Sequence, residues 1–366
     1  MLPMNRKQAH RTARLVLTGL LAACEIPSEA PILQQTWIIP GDSATVSVAE
    51  LLPSNVGLNV GRTAFTVTIP APPTFNSTLG ALCGQAACQS TVTVVAPVPA
   101  FTSSGSALST TVAFPAGVTA ATVSGGTLNL SITNNLGFDP LQTNGAVAPF
   151  GSVAVTLTSG ATTSTTTFSG AARTMPNGAN RVFAVPLPTG VYTGSIAVTL
   201  AFTVAAGGNA SLNASNAISI GTSVASLTLT QATVVVNNDA VNTPPSAFDL
   251  AGADFADQVE SGALLLDILN PFTAGATMSV VIAAPAQAGA GAVSITKALV
   301  IPATPTSTAS IALSKLELQS LLGKSNVTMA VTGTATGTGA GNTVTVTPAQ
   351  QITLRTKVRL VLNVGA

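Results

Sequence analysis

Charge, aromatic rings and histidine are scarce in this chain. Of its 366 residues only 7% are charged and 4% aromatic, with one tryptophan and one tyrosine. The single histidine is His10. Nothing downstream of it can serve as the base of a Ser-His-Asp or Cys-His arrangement. Cysteine occurs three times, as Cys24, Cys83 and Cys88. Without histidine these are too few for zinc, which takes about four ligands. Long apolar runs are missing too. Leu15–Ala23 falls short of the roughly 20 residues a spanning helix needs, and the stretch 279–301 is broken by Pro285, Gly289, Gly291 and Lys297. So few aromatics also leave no girdles for an outer-membrane barrel. What remains is Gly, Ala, Thr, Ser and Val, with 46% hydrophobic residues. That is ample for packed cores and argues against a disordered stalk.

The few charges are unevenly placed. Arg6, Lys7, Arg11 and Arg14 precede the apolar stretch Leu15–Ala23, and every acidic residue follows Cys24. A basic head, a short apolar middle and a small-residue exit make residues 1–23 a secretory signal peptide. The ending Leu21-Ala22-Ala23-Cys24 is similar to a bacterial lipobox. That resemblance implies cleavage before Cys24, acylation of its thiol with palmitate-type chains, and an anchored N-terminus. Glu25 in place of aspartate implies release to the outer membrane. Two or more acyl chains give stable anchoring, so the expected partner is the membrane, and the expected place is the bacterial cell envelope. Once residues 1–23 are removed, 9 basic groups face 12 acidic ones, net −3. That balance excludes a nucleic-acid binder that works through a basic face.

Export also fits the remaining cysteines. Cys83-Gly84-Gln85-Ala86-Ala87-Cys88 predicts a small disulfide-closed loop in an oxidising compartment. Period-two alternation recurs along the chain, as in Phe65-Thr66-Val67-Thr68-Ile69, Val153-Ala154-Val155-Thr156-Leu157-Thr158 and Val344-Thr345-Val346-Thr347. Such runs put one face on a core and one in solvent. With Gly- and Pro-rich connectors between them, they predict an all-β chain of tandem immunoglobulin-like β-sandwich domains.

An internal repeat sets the boundaries. Gly126-Thr127-Leu128-Asn129-Leu130-Ser131-Ile132-Thr133-Asn134-Asn135-Leu136 matches Gly262-Ala263-Leu264-Leu265-Leu266-Asp267-Ile268-Leu269-Asn270-Pro271-Phe272. Later, Gly208-Asn209 echoes Gly341-Asn342, and Ile218-Ser219-Ile220 echoes Ile352-Thr353-Leu354. The pattern predicts an N-terminal β-domain over 24–110 and sandwich repeats over 111–236 and 246–366. A polar, Pro-containing linker over 237–245 is expected between the repeats. One short helix is expected in the last domain. There Ser314 and Glu317 form a capping box, Leu318, Leu321 and Leu322 share a face, and Gly323 ends the turn.

The strand Leu264-Leu265-Leu266-Asp267-Ile268-Leu269-Asn270-Pro271-Phe272 resembles the opening strand of water-stress domains of the late-embryogenesis type 2 class. That resemblance implies a β-sandwich with a helix and no defined active site. The first copy has Asn135 where the family has proline.

Catalytic motifs fail on inspection. Gly41-Asp42-Ser43-Ala44 has no histidine to serve it. Gly323-Lys324-Ser325 closes a helix instead of opening one, unlike a phosphate loop. Gly337-Thr338-Gly339-Ala340-Gly341-Asn342 reads as a hairpin tip. One acidic cluster stands out: Asp249, Asp254, Asp257 and Glu260, with Asp267 beyond. It is a solvated loop, an oxygen-ligand calcium candidate or, with paired carboxylates, a glycosidase candidate. Arg355, Lys357 and Arg359 alternate along the last strand and share one face. No catalytic residue and no cofactor is expected. The expected role is structural or interactive in the envelope, with an envelope protein as a possible partner. The alternative is a carrier for an apolar, lipid-like ligand, motivated by a mean hydropathy of +0.53 and a core built on small aliphatics that could leave a cavity.

Overall fold

Threonine or serine alternating with valine, leucine or isoleucine produces strand after strand. The computed structural model describes residues 33–103, 108–247, 250, 252, 255–287 and 291–364. A leading segment gives β1 (Leu33–Ser47), β2 (Val56–Leu58), β3 (Phe65–Val67), β4 (Phe75–Thr78) and helix α1 (Leu79–Cys83). A first large unit follows with β5 (Val94–Pro97), β6 (Phe101–Ser103), β7 (Ser109–Ala113), β8 (Val118–Asn135), β9 (Ser152–Ser159), β10 (Thr162–Ser169), β11 (Asn180–Pro186), β12 (Gly190–Thr193), β13 (Ser195–Val204), β14 (Asn209–Leu212) and β15 (Ala217–Val235). A second unit holds β16 (Asn237–Asn242), β17 (Ser246–Ala247), β18 (Val259–Leu269), β19 (Ala274–Ala284), β20 (Val293–Ile301), β21 (Thr306–Leu313), helix α2 (Lys315–Leu321), β22 (Thr328–Gly337), β23 (Thr343–Val346) and β24 (Gln351–Val364). The chain is all-β, two antiparallel sandwiches in tandem. The expected single helix has a second companion in α1.

The two units repeat each other strand for strand. In the first, β11-β8-β15 faces β10-β9-β13; in the second, β21-β18-β24 faces β20-β19-β22. Alternating burial follows the pleat, as in β9, where Val153, Val155 and Leu157 are buried and the residues between them are not. Such alternation is what one buried sheet face requires. Each unit then receives a fourth strand beside its last one. β4 pairs with β15 in the first unit and β1 with β24 in the second. Both added strands end in a hydroxyl cap. Thr78 accepts from the Ala81 amide and starts α1, while Ser47 accepts from the Ala49 amide and starts a 3-10 turn over Val48–Leu51.

The repeat extends to buried polar detail. Asn134 and Asn270 occupy the same position in β8 and just after β18, and both are fully buried. Asn134 Nδ2 donates to the carbonyls of Phe138 (2.7 Å) and Met175 (2.6 Å), and its Oδ1 accepts from the Leu136 amide (3.0 Å). Asn270 Nδ2 donates to the carbonyls of Ala274 and Pro302, both at 2.9 Å, and its Oδ1 accepts from the Phe272 amide at 3.0 Å. Each asparagine thus ties the end of its strand to the turn that follows it. Gly126 and Gly262 match in the same way. A Cβ on Gly126 would meet Leu187 Cδ1 at 2.9 Å, and one on Gly262 would meet Leu318 Cδ1 at 2.9 Å. Glycine at this point lets a later leucine lie directly on the strand.

The pairing corrects two boundaries. The described residues of the stretch 24–110 do not pair into a separate N-terminal β-domain. β1 belongs to the sheet of the last unit, β4 joins the first, and β5 is already the opening strand of the first unit, paired with β14. Sheet edges recruit strands through backbone groups, so proximity in sequence does not decide the partner. Nor is 237–245 a free linker. Asn237–Asn242 pairs with β22 as β16, and the Thr243 hydroxyl and amide both donate to the Val331 carbonyl. β15 itself runs through both units, pairing with β8 along its length and with β23 at residues 232–235.

Candidate functional site

The outer face of the β1-β24-β18-β21 sheet collects the cations of the last strand. Along β24 the core side takes Ile352, Leu354, Val358 and Leu360, all buried. The alternating positions Thr353, Arg355, Lys357 and Arg359 therefore point outward. On the β1 side, Arg355 lies opposite Ser43, Lys357 opposite Pro40 and Arg359 opposite Ile38. On the β18 side the same residues lie opposite Asp267, Leu265 and Ala263. Lys357 Nζ pairs with Asp267 Oδ2 at 2.8 Å, both about half exposed. Arg355 and Arg359 make no ion pair among the described residues. Two apolar side chains stand out on this face, Ile38 at 60% and Leu269 at 49% exposure. A solvent-open groove of about 440 Å³ crosses it, lined by Asp267, Leu269, Thr306, Thr308, Thr353 and Arg355.

The other candidate residues lie apart. Cys24 and the signal peptide are outside the described residues. A disulfide joins Cys83, the last residue of α1, to Cys88 in the 3-10 turn over Ala86–Cys88, and both are buried. In the acidic cluster, Asp249 and Asp254 lie outside the described residues. Asp257 is exposed, and Glu260 Oε2 is engaged by Lys315 Nζ at 3.3 Å and accepts from Asn363 Nδ2 at 3.4 Å. Among the described residues no three His, Cys, Asp or Glu side chains converge as a metal site would need. Gly41 and Asp42 sit in the β1 bulge between Pro40 and Ser43, where the Asp42 carbonyl accepts from the Thr356 hydroxyl at 2.6 Å. The segment 337–342 turns β22 into β23, held by the Gly339 amide on the Thr343 carbonyl.

Helix α2 is closed onto its sheet. Leu318 and Leu321 are fully buried, and Leu322 nearly so. The capping box forms as its sequence predicts. The Ser314 amide donates to Glu317 Oε2 at 2.8 Å, and Ser314 Oγ accepts from the Glu317 amide at 3.3 Å. Lys297 Nζ pairs with Glu317 Oε1 at 2.7 Å. The Lys297 ammonium and the Ser314 amide together hold the Glu317 carboxyl below its usual 4.5. In the first unit, burial pushes the Tyr192 phenol up to about 12. Its hydroxyl donates to the Pro188 carbonyl at 2.8 Å, four residues upstream, an arrangement like the tyrosine corner of immunoglobulin-type sandwiches.

The sequence announced the alternating cations but not their surroundings. Nothing in residues 33–47 marks β24 as their partner, so Ile38 beside Arg359 could not be read. The position of Asp267 opposite Arg355 also required the register.

No protein-family model matches the chain, and no curated protein matches it. Among solved structures, the chain is similar to a "putative secreted protein" from Parabacteroides distasonis ATCC 8503, at 11% identity and a TM-score of 0.33. That match covers 89% of this chain and 99% of that one. It is also similar to the CBM22 tandem domain of Paenibacillus barcinonensis Xyn10C, at 10% identity and a TM-score of 0.18, covering 89% and 98%. Both scores are too low to carry an argument about fold or function.

Proposed function

We propose that the chain is a lipid-anchored cell-envelope protein with a structural or interaction role and no catalytic activity. The observation that carries this reading is Leu21-Ala22-Ala23-Cys24 together with the start of β1 at Leu33. Only eight residues separate an acylated Cys24 from a strand bonded into the last unit. Fully extended, that tether reaches about 30 Å, so two rigid sandwiches would stand close to the lipid. No helix among the described residues is long and apolar enough to cross a membrane. The likeness of 264–272 to water-stress domains fits a sandwich that works by contact rather than by chemistry. The carrier alternative would need space between helix and sheet, where Leu318 and Leu321 are instead packed tight.

The test is expression of the full chain in a Gram-negative host fed an alkyne-tagged palmitate. Label on the wild type, lost with its membrane association in Cys24→Ser, is the expected result. Unlabelled protein, or a Cys24→Ser chain that still sediments with membranes, overturns the reading.

A further inference from the structure

We infer that the outer face of the β1-β24-β18-β21 sheet is the side the protein lays against the anionic phospholipid headgroups of its own leaflet. This rests on the reading that Cys24 carries the anchor.

Charge distribution favours this face. After cleavage the chain is net negative, yet three of its nine remaining cations stand on one strand. Asp267 neutralises Lys357, and among the described residues Arg355 and Arg359 have no ion-pair partner; Asp42 sits in the β1 bulge, and Glu260, near the end of β24, is held by Lys315 and Asn363. Elsewhere, Lys297 and Lys315 are taken up by Glu317 and Glu260. The two exposed apolar side chains, Ile38 and Leu269, lie on the same outward face as the arginines. A guanidinium beside an aliphatic tip suits the headgroup boundary, where the charge meets phosphate and the carbon enters the interface.

Geometry favours it as well. The tether enters this sheet at Leu33, which pairs with Val364. Ile38 and Arg359 lie five residues along β1, about 17 Å from that point at roughly 3.3 Å per residue. Arg355 is nine residues along β24 from Val364, about 30 Å from that point by the same rise. A tether reaching about 30 Å allows this sheet to lie flat on the lipid.

Each exposed Lys or Arg near an anionic surface strengthens association on the order of fivefold, and salt screens it within a Debye length of about 10 Å at 0.1 M. The two uncompensated arginines are too few to capture a free protein firmly. They are enough to choose the face of one already tethered.

Trp37 points to the other face of β1, paired with the buried Leu360 and edge-on against Phe255. The reporter is therefore moved outward by Trp37→Phe/Ile38→Trp, which leaves one tryptophan in the chain, at the position opposite Arg359. The lipidated full chain would be reconstituted into vesicles of phosphatidylcholine alone or with phosphatidylglycerol, each carrying a headgroup-attached quencher. With the Trp37→Phe/Ile38→Trp chain as the parent for all variants, flotation with the vesicles reads the anchor, and quenching of its single tryptophan reads the face. The expected result is flotation in both lipids, with quenching several-fold stronger in anionic vesicles and weakened by high salt or by Arg355→Gln/Arg359→Gln. A charge-matched control, Arg62→Gln/Arg181→Gln, removes two exposed cations elsewhere and is expected to leave quenching unchanged. Unchanged melting of both variants shows that the fold is intact. Flotation with quenching indifferent to lipid charge, or equally reduced by the control, overturns the face and leaves the anchor standing. Failure to float overturns the anchor and the face with it.

Discussion

Replacing Asn270 with alanine removes three hydrogen bonds from a fully buried site. The Phe272 amide loses its acceptor, and the carbonyls of Ala274 and Pro302 lose their donor. A buried group stripped of its partner costs about 1–3 kcal/mol, less for a carbonyl that keeps a second partner. We expect Asn270→Ala to destabilise by about 3–5 kcal/mol, a large share of the roughly 5–15 kcal/mol of an ordinary domain. Asn134→Ala breaks the same three bonds in the first unit and should cost the same within about 1 kcal/mol. Asn270→Asp is the sharper probe. It keeps the shape but turns an oxygen toward two carbonyls, so at neutral pH it should cost more than alanine. On acidification, protonation restores one donor and the gap should narrow. Urea unfolding followed by circular dichroism measures all three. A cost below about 1 kcal/mol for either alanine variant, or an aspartate tolerated like asparagine, would refute the view that this asparagine locks each strand to its turn.

Two further predictions concern pH. Tyr192, the only tyrosine, is held neutral by burial with its phenol near 12, against about 10 in an unfolded chain. The unfolded state therefore loses its proton first as pH rises, and stability should fall between pH 10 and 12 by at most about 2–3 kcal/mol. The tyrosinate absorption band should emerge only near the upper limit. Tyr192→Phe should flatten that alkaline slope, and a phenol that ionises near 10 in the folded protein would contradict the burial argument. Glu317 has the opposite sign. Its folded value is lowered by Lys297 and the Ser314 amide, so its contribution is present above 4.5 and is lost as pH falls through the lowered value. Glu317→Gln should cost about 1 kcal/mol at pH 7 and converge with the wild type in acid, as read by melting temperatures. A constant difference at all pH values would refute the assignment.

The strands were legible because a period of two, carried by Val-Thr and Leu-Ser alternation, fixes which side chains turn inward. The repeat was legible because Gly126 and Gly262, and Asn134 and Asn270, each perform one task that a single residue type satisfies. Neighbour relations were not legible. Alternation in residues 33–47 assigns faces to Trp37 and Ile38 but does not select β24 over another edge. Asn237–Asn242 reads as a linker because an edge strand that caps a polar rim carries no hydrophobic period. The acidic cluster looked like a site because Asp257 and Glu260 are close in sequence. In the fold Glu260 is taken by Lys315 and Asn363, while Asp267 serves Lys357.

The odd placement of β1 follows from the way the two units share chain. In the first unit the added strand β4 comes shortly before β5, so the unit completes its own sheet locally. The second unit has no such stretch ahead of it. Its opening strand is the end of β15, and the rest of β15 is already the last strand of the first unit, bonded to β4 and β8. The fourth strand must come from elsewhere, and the residues before β2 supply it across almost the entire chain. Thirteen residue pairs join β1 to β24, so the first described strand is bonded to the last. A pull on the N-terminus would then load the β1-β24 ladder of the second unit directly, with the first unit carried behind it.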